Sequence, residues 1–447
     1  MNINRRGFIK TSAIAGAGLT LTGGLARASG RTAPSDQIVV GVMGVNNRGN
    51  AVGRTFATRE GCEVAYLCDV DSRAPVKAAQ SIQEALALRD RDGARVPEAV
   101  SDFRRMLEDP NVDAVVIAAS DHWHTPATIL ALQAGKHVYV EKPASHNAQE
   151  AEMIVDAARH YDKHVQMGNQ QRSDPRSIQV INDIHNGLIG RAYYAHTWYA
   201  NNRNSIGRGQ QTTVPDWLDY ELWQGPAPRR PYQDNLIHYN WHWFWNWGTG
   251  EICNNGAHEL DVARWALGVD RPVRASSSGG RYHFNDDWET FDTQVATFDF
   301  EDGKSITWHG RSCNGFPLHN RSRGTTIHGE RGTVLLDRSG YTLFNENNEV
   351  VRWMKPGDVG EPIDAHRLDD ATTRHVENFL NTIRGLDELN SPIETGQRSV
   401  MLCHLGNIAQ RTGRSLTIDP DSGRIQGDDE AMALWRREYE PGWEPSV

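Results

Sequence analysis

The sequence predicts an α/β protein whose first half builds a doubly wound parallel sheet. Three observations predict it: an apolar strand run that delivers into a glycine-rich turn, a carboxylate closing the next strand, and further apolar strands alternating with helical stretches. The 447 residues suffice for two or three domains at roughly 100–200 residues each. With 47 Lys and Arg against 57 acidic residues, the formal charge is −10. No basic run interleaved with aromatics offers a phosphate-backbone footprint, so the composition argues against a nucleic-acid partner.

Taken in order, residues 1–28 read as an export signal of the twin-arginine type. Asn4-Arg5-Arg6-Gly7-Phe8-Ile9-Lys10 opens it, a small-residue apolar stretch runs to Leu25, and Ala26-Arg27-Ala28 supplies a cleavage site. The stretch is too Gly/Thr-rich for the roughly 20 strongly apolar residues of a span. Its removal takes four basic residues and no acid, leaving a more acidic chain that is expected in the periplasm without a membrane anchor. The cysteines (Cys62, Cys68, Cys253, Cys313, Cys403) are odd in number and scattered, with neither zinc spacing nor an evident disulfide framework.

Gln37–Met43 is the first strand, followed by Gly44-Val45-Asn46-Asn47-Arg48-Gly49 and a helical stretch through Arg59. The turn is G-x-G-x-x-G with Asn46 at the second glycine. Strand Glu63–Cys68 ends at Asp69, which lies 20 residues after Gly49, where a carboxylate can accept from ribose hydroxyls. The constellation points to a dinucleotide, its pyrophosphate on the helix N-terminus, and to NAD over NADP because Asp69 repels a 2′-phosphate. Strand Val112–Ala119 closes on a loop, Ser120-Asp121-His122-Trp123-His124-Thr125-Pro126, with a helix following to Gly135. Strand His137–Val140 closes on Glu141-Lys142-Pro143. Both endings fall at the carboxyl edge of a parallel sheet, where such folds bind ligands.

The Gly44–Gly49 turn, "DHWHTP" at 121–126, "AGKHVYVEKP" at 134–143, "GEICNNGAHELD" at 250–261 and "HLGNIAQRTGR" at 404–414 together resemble the Gfo/Idh/MocA family over residues 36–447. The resemblance implies a Rossmann domain, placed at 36–166. It also implies a substrate-binding α/β domain at 167–447, with a large, open, mostly antiparallel sheet that often makes homo-oligomer contacts. Bound NAD and sugar-like substrates follow from the same resemblance. The family's conserved lysine falls on Lys142 and its substrate-domain histidine on His258; Asn254 stands where many members carry aspartate.

Hydride transfer from a carbinol carbon needs a base near the alcohol and a cation beside the developing alkoxide, which Lys142 and His258 supply. Asp261, three residues after His258, is the expected orienter, and Asn254 is a hydrogen-bonding member of the catalytic set. The expected cofactor contacts are Gly44, Asn46, Asn47, Arg48, Gly49, Asp69, Ser120, His122, His124, Glu141 and Lys142. His122 and His124 could bind a metal, but no acid or thiol falls predictably beside them, so no metal is expected. Eight of 14 tryptophans lie between residues 198 and 265. In Asn240–Trp247 a period-two pattern cannot bury every ring on one side of a sheet, so Trp241, Trp243 and Trp245 are expected, with His124 and His258, to cover a sugar; an oligomer interface is the alternative. Arg203, Arg208, Asp216 and Asp219 could line the same region. Later segments alternate as sheet strands at 292–300, 325–329 and 332–336, with bracing helices near 369–384 and 397–411 whose His375 and His404 read as packing residues.

An exported enzyme has little NADH-regenerating pool around it, so the cofactor is expected to be tightly held. The sequence therefore predicts an NAD(H) oxidoreductase acting on a sugar or glycoside. Two alternatives stay open: a redox-neutral glycoside hydrolase, working by transient C3 oxidation, C1–C2 elimination, water addition and re-reduction, and a noncatalytic periplasmic sugar sensor. The first resembles an NAD-dependent glycosidase branch and needs no carboxylate pair.

Overall fold

The computed structural model describes residues 37–91, 93–355 and 370–447; the signal-like segment 1–28 lies outside the described residues. Six strands form a parallel sheet: β1 (Ile38–Met43), β2 (Cys62–Cys68), β3 (Glu98–Val100), β4 (Ala114–Ile117), β5 (His137–Val140) and β6 (Val165–Met167). Their order is β3-β2-β1-β4-β5-β6, the doubly wound arrangement with a crossover reversal between β1 and β4. Central strands such as β4, Ala-Val-Val-Ile, are buried at every position because helices cover both faces. Ile129, Leu132 and Ile154 pack on one face, while Phe56, Ile82, Val376 and Phe379 pack on the other. The chain returns to this sheet late: helix Asp370–Ile383 brings Phe379 edge-on to Phe56 and Tyr139, at 6.1 and 5.9 Å between ring centroids.

Nine strands form the second sheet: β7 (Ala192–Ala200), β8 (Arg274–Gly280), β9 (Thr293–Phe300), β10 (Lys304–Arg311), β11 (Arg323–Gly329), β12 (Gly332–Asp337), β13 (Gly340–Phe344), β14 (Val350–Met354) and β15 (Leu416–Thr417). The order is β14-β13-β12-β11-β7-β10-β9-β8-β15, antiparallel except for the β7–β10 pair. The fold class is the α/β arrangement expected. In β9 the alternation is strict: Gln294, Ala296, Phe298 and Phe300 are buried, with the residues between them half-exposed. Helices Pro175–His185, Ala257–Leu267 and Ile393–Thr412 pack against this sheet. No described helix is long and apolar enough to cross a membrane.

Two local readings change. The segment Asp121–Pro126 is not a loop but the first turns of helix Asp121–Gln133, with Pro126 inside it and Arg437 Nη2 donating to the His122 carbonyl that the proline cannot bond, at 2.7 Å. The tryptophan run is not a strand either: Asn240–Trp243 is a 3₁₀ turn, so a period-two argument about its faces does not apply.

Candidate active site

At the cofactor end, β1 runs into Gly44, whose φ is +80° and whose added Cβ would lie 2.7 Å from the main chain of Ala118. Gly49 is more constrained, since its Cβ would fall 1.7 Å from the Gly44 carbonyl oxygen. These two glycines let helix Arg48–Ala57 start against the strand ends. The Asn47 side chain does not cap that helix, so its positive end remains available to an anion. Asp69 sits at the end of β2, where its Oδ2 accepts from Val45 N at 2.8 Å and its Oδ1 from Asp71 N at 3.0 Å. Burial pushes its pKa up, and the two N–H donors pull it back in part. Each oxygen keeps a lone pair for a ribose hydroxyl. This cradle fits a dinucleotide.

Gly44, Asn46, Asn47, Arg48, Asp69, Ser120, His124, Glu141 and Lys142 all line one cavity of about 410 Å³, together with Trp241, Asn254 and His258. Arg48 pairs with Glu141 (2.9 Å), and Gln170 Nε2 donates to the same carboxylate oxygen at 3.1 Å. Burial alone would raise Glu141, but the Arg48 and Lys142 cations hold it below its usual range.

Lys142 lies at the far end of β5. Its Nζ donates to the Asn254 carbonyl oxygen (2.7 Å) and to Asn254 Oδ1 (3.1 Å), which leaves its remaining position, the lone pair of the neutral amine or the third N–H of the ammonium, for a ligand. Burial lowers its pKa from the ordinary lysine value, with Glu141 and Asp121 offsetting part of the drop. Buried Asp121 accepts from Thr249 Oγ1 at 2.5 Å and is pushed up to about 7 by burial. His258 opens helix Ala257–Leu267, and among the described residues its ring has no hydrogen-bond partner. Burial, then the Arg338 and Lys142 charges, hold it neutral, well below the ordinary histidine value.

Several expected site residues have other employment. Asp261 does not orient His258: Arg172 grips it with two hydrogen bonds, 2.8 and 2.9 Å, and Ser399 Oγ donates at 2.6 Å. It ties its helix to the Gln170–Ser173 turn and to helix Ile393–Thr412. His122 is no cofactor contact. It is fully buried, with Nε2 3.0 Å from Trp223 O and Nδ1 3.3 Å from Trp247 O. His124 borders the cavity, but its two ring nitrogens face the Pro143 and Ala119 carbonyl oxygens, and burial keeps the ring neutral so that it donates to one of them; it shapes the wall more than it reaches a substrate. Trp243 is buried and stacks on Trp288 (3.9 Å), while Trp245 packs against Phe291 and Arg411; neither lines the cavity. Trp241 does, stacked on His242 at 3.6 Å. Arg203 pairs with Glu251 behind the wall, Arg208 binds Asn285, and Asp219 caps helix Tyr220–Gln224. Asp216 is not a lining residue.

Sequence reasoning missed Gln170, Trp223, His238, Tyr239, His242, Asn255, Arg323 and Arg338, all of which line the cavity. Asn255 had a signal, its adjacency to Asn254. Arg323 and Arg338 come from sheet strands and turns with no motif. His238 belongs to a strap over the Asp69 end of the cavity: Trp217 O accepts from Ser72 N (2.9 Å), Asp219 N donates to Val70 O (3.0 Å), and His238 Nε2 meets Asp71 Oδ2 (2.9 Å). Arg73 stacks on Trp217 at 3.6 Å. Among the described residues no group of three His, Cys, Asp or Glu is placed to hold a metal, and the five cysteines are free and buried.

Comparison with known proteins agrees with this architecture. The model of an oxidoreductase family with an NAD-binding Rossmann fold matches residues 38–169, and that family's C-terminal alpha/beta domain matches 190–334. Together they cover more than half of the chain. A glycosyl hydrolase family 109 protein of Saccharopolyspora erythraea is 30% identical over 208 residues, 43% of this chain and 44% of its own length. An alpha-N-acetylgalactosaminidase of Shewanella oneidensis is 27% identical over 214 residues, 44% of this chain and 46% of its own. The matched segment thus spans less than half of either relative. Among solved structures, levoglucosan dehydrogenase with NADH and levoglucosan aligns at TM-score 0.64 and 17% identity, covering 85% of this chain and 99% of that one. The WlbA dehydrogenase of Bordetella pertussis, with NADH and UDP-GlcNAcA, gives 0.58 and 22%, covering 86% and 99%. These two likenesses speak to fold.

Proposed function

Because the chain belongs to the Gfo/Idh/MocA oxidoreductase family, we propose that it carries NAD(H) tightly and moves a hydride between that cofactor and a sugar or glycoside hydroxyl carbon. The observation that carries the reading is Lys142, a half-buried amine with a lowered pKa and, among the described residues, no carboxylate bonded to it, in the cavity that the glycine turn and Asp69 open. Bound NAD supplies the hydride acceptor. Lys142 takes the hydroxyl proton, since burial moves its pKa toward the working pH, and two Asn254 oxygens then hold the resulting ammonium. His258, kept neutral, hydrogen-bonds the same hydroxyl, and Trp241 offers an apolar face to the ring C–H groups.

The strap supports tight retention, because it lays residues 217–219 and His238 beside the strand end where Asp69 would hold the adenosine ribose. It also accords with twin-arginine export of a folded, loaded enzyme to the periplasm, which Arg5→Lys/Arg6→Lys should block in a fractionation assay. Homo-oligomerisation through the second sheet belongs to the same proposal; light scattering of the purified protein tests it.

A second reading, redox-neutral glycoside hydrolysis, draws on the family 109 relatives and on the cavity's acids. Asp69, Asp121 and Glu141 are each committed to an internal partner, so none forms an ordinary glycosidase pair. Protein purified without nucleotide, offered a panel of free sugars and aryl glycosides, separates the readings. Lasting reduced-nicotinamide absorbance with a free sugar supports the oxidoreductase, whereas aglycone release without it supports the hydrolase. A cofactor-free protein inert to both contradicts both readings and leaves a sugar sensor.

A further inference from the structure

Behind the cavity wall stands a buried carboxylate that lies within the 250–261 motif but to which the sequence assigned no role. Glu251 precedes a single π-helical turn, Ile252–Gly256, and its side chain is 4% exposed. Its Oε2 accepts from Arg203 Nε (2.7 Å) and Ser312 Oγ (2.9 Å). Its Oε1 accepts from Asn255 Nδ2 (2.5 Å), Arg203 Nη2 (3.2 Å) and Asn254 Nδ2 (3.3 Å). The spacing explains the last two asparagine contacts, since residues three and four positions on return to the same side of a helical turn. Five donors on two oxygens leave the carboxylate no freedom to reorient.

That fixity decides which way the Asn254 amide points. An amide has one accepting end and one donating end, and the two are close to isosteric. Glu251 can only accept, so it selects the orientation with Nδ2 toward itself. Oδ1 is then turned to Lys142 Nζ, at 3.1 Å. In the flipped orientation an NH₂ would confront an ammonium and a carbonyl oxygen would confront a carboxylate. Glu251 does not line the cavity and so touches neither substrate nor cofactor. Asn255, held by the same oxygen, accepts from Arg323 Nη1 at 3.2 Å, so one carboxylate sets two adjacent polar groups of the wall.

We infer that Glu251 is a positioning residue for the reaction: it fixes the Asn254 amide, and through it the placement and basicity of Lys142. The inference rests on the proposed hydride-transfer function only for its kinetic consequence. Its geometric content stands on the Lys142 titration alone. Removing Glu251's acceptors frees Asn254 to turn, Lys142 loses one of two oxygens that favour its charged form, and its pKa falls further.

The test uses the full chain with its cofactor as purified. Glu251→Gln alone leaves Arg203 as an uncompensated buried cation and can fail to fold, so the pair Glu251→Gln/Arg203→Met, which removes both charges together, is made beside it. The first readout is ¹⁵N NMR titration of the Lys142 Nζ. In either variant its midpoint is expected to fall by roughly half a unit to one unit, and not to fall further when Asn254→Ala is combined with it, because the effect travels through that amide. The second is turnover: kcat is expected to drop on the order of tenfold with KM little changed and the rising limb of the pH profile displaced to lower pH. A lower melting temperature with an unmoved Lys142 titration would overturn the inference and leave Glu251 a purely structural ion pair. So would full additivity with Asn254→Ala. If the wild-type protein neither reduces its cofactor nor releases aglycone, the functional reading falls, while the titration still decides the role of Glu251.

Discussion

Lys142 owes its chemistry to its surroundings. An exposed lysine is an ammonium at neutral pH, whereas this one is desolvated, is bonded to amide oxygens, and lies near an acid that burial has raised to about 7. Replacing it by Met should retain NAD on the purified protein and cost roughly 10²–10⁴-fold in turnover, read by single-turnover reduction of the bound cofactor. Activity should rise with pH and level off below the ordinary lysine value, because the neutral amine is the working form. His122→Gln should behave differently. It removes the single bond that a neutral imidazole can donate to the Trp223 or the Trp247 carbonyl, together with the ring's packing, so the melting temperature should fall while turnover per folded molecule is kept. Sequence alone could nominate Lys142, His258 and Asn254 because strand ends and a motif carry them. It could not separate His122 from His124 or reveal that Asp261 belongs to Arg172, since those assignments depend on which residues arrive from elsewhere in the chain. Glu251 was equally hidden: a glutamate before an asparagine pair looks like surface until Arg203 and Ser312 close over it.

Among the elements, the β1 turn and its helix were the most legible, because a glycine-rich fingerprint states a steric requirement directly. Gly49→Ala puts a methyl carbon 1.7 Å from the Gly44 carbonyl oxygen, so the turn must deform. The expected result is a folded protein that has lost its cofactor, checked by mass spectrometry of a denatured extract. The strands of the second sheet were also legible where they alternate, as in β9. The tryptophan-rich segment was not. Its spacing imitates a strand, but the chain takes a 3₁₀ turn there and spends Trp243 on Trp288, leaving Trp241 to the cavity. The 121–126 segment misled in the opposite sense, because Pro126 and two histidines look like loop residues, yet the helix runs on through Pro126, and the His122 carbonyl that the missing N–H would have met accepts from Arg437 Nη2 at 2.7 Å.

At the scale of the whole molecule, the existence and character of both sheets, one parallel and one mostly antiparallel, followed from the pattern of strands and helices together with the family resemblance, whereas the strand order of the second sheet came only from the structure. So did the late return of helix Asp370–Ile383 to the first sheet, and the strap from 217–238 over Asp71. Trp217→Ala/His238→Ala should therefore bind NAD in the same cradle but release it faster, measured as cofactor lost on dialysis. Stability should depend on pH through the buried histidines. His122 and His242 are held at about 3 and His375 at about 4, each by burial first. Their folded values lie below the unfolded value, so the unfolded chain binds protons that the folded chain refuses. This contribution is complete above about pH 6.5 and is lost as pH falls, toward 4 for His375 and toward 3 for His122 and His242, by up to roughly 1.4 kcal/mol per pH unit for each. Urea midpoints at pH 7 and pH 5 check the sign. The central claim is that a sugar carbon exchanges hydride with a cofactor the protein already carries. It is tested most directly by soaking protein purified without added nucleotide in sugars deuterated at the ring carbons, then weighing the extracted cofactor. Deuterium on the nicotinamide, absent in Lys142→Met, is the predicted result; an unlabelled cofactor after exposure to the whole panel, or no cofactor at all, would contradict the account.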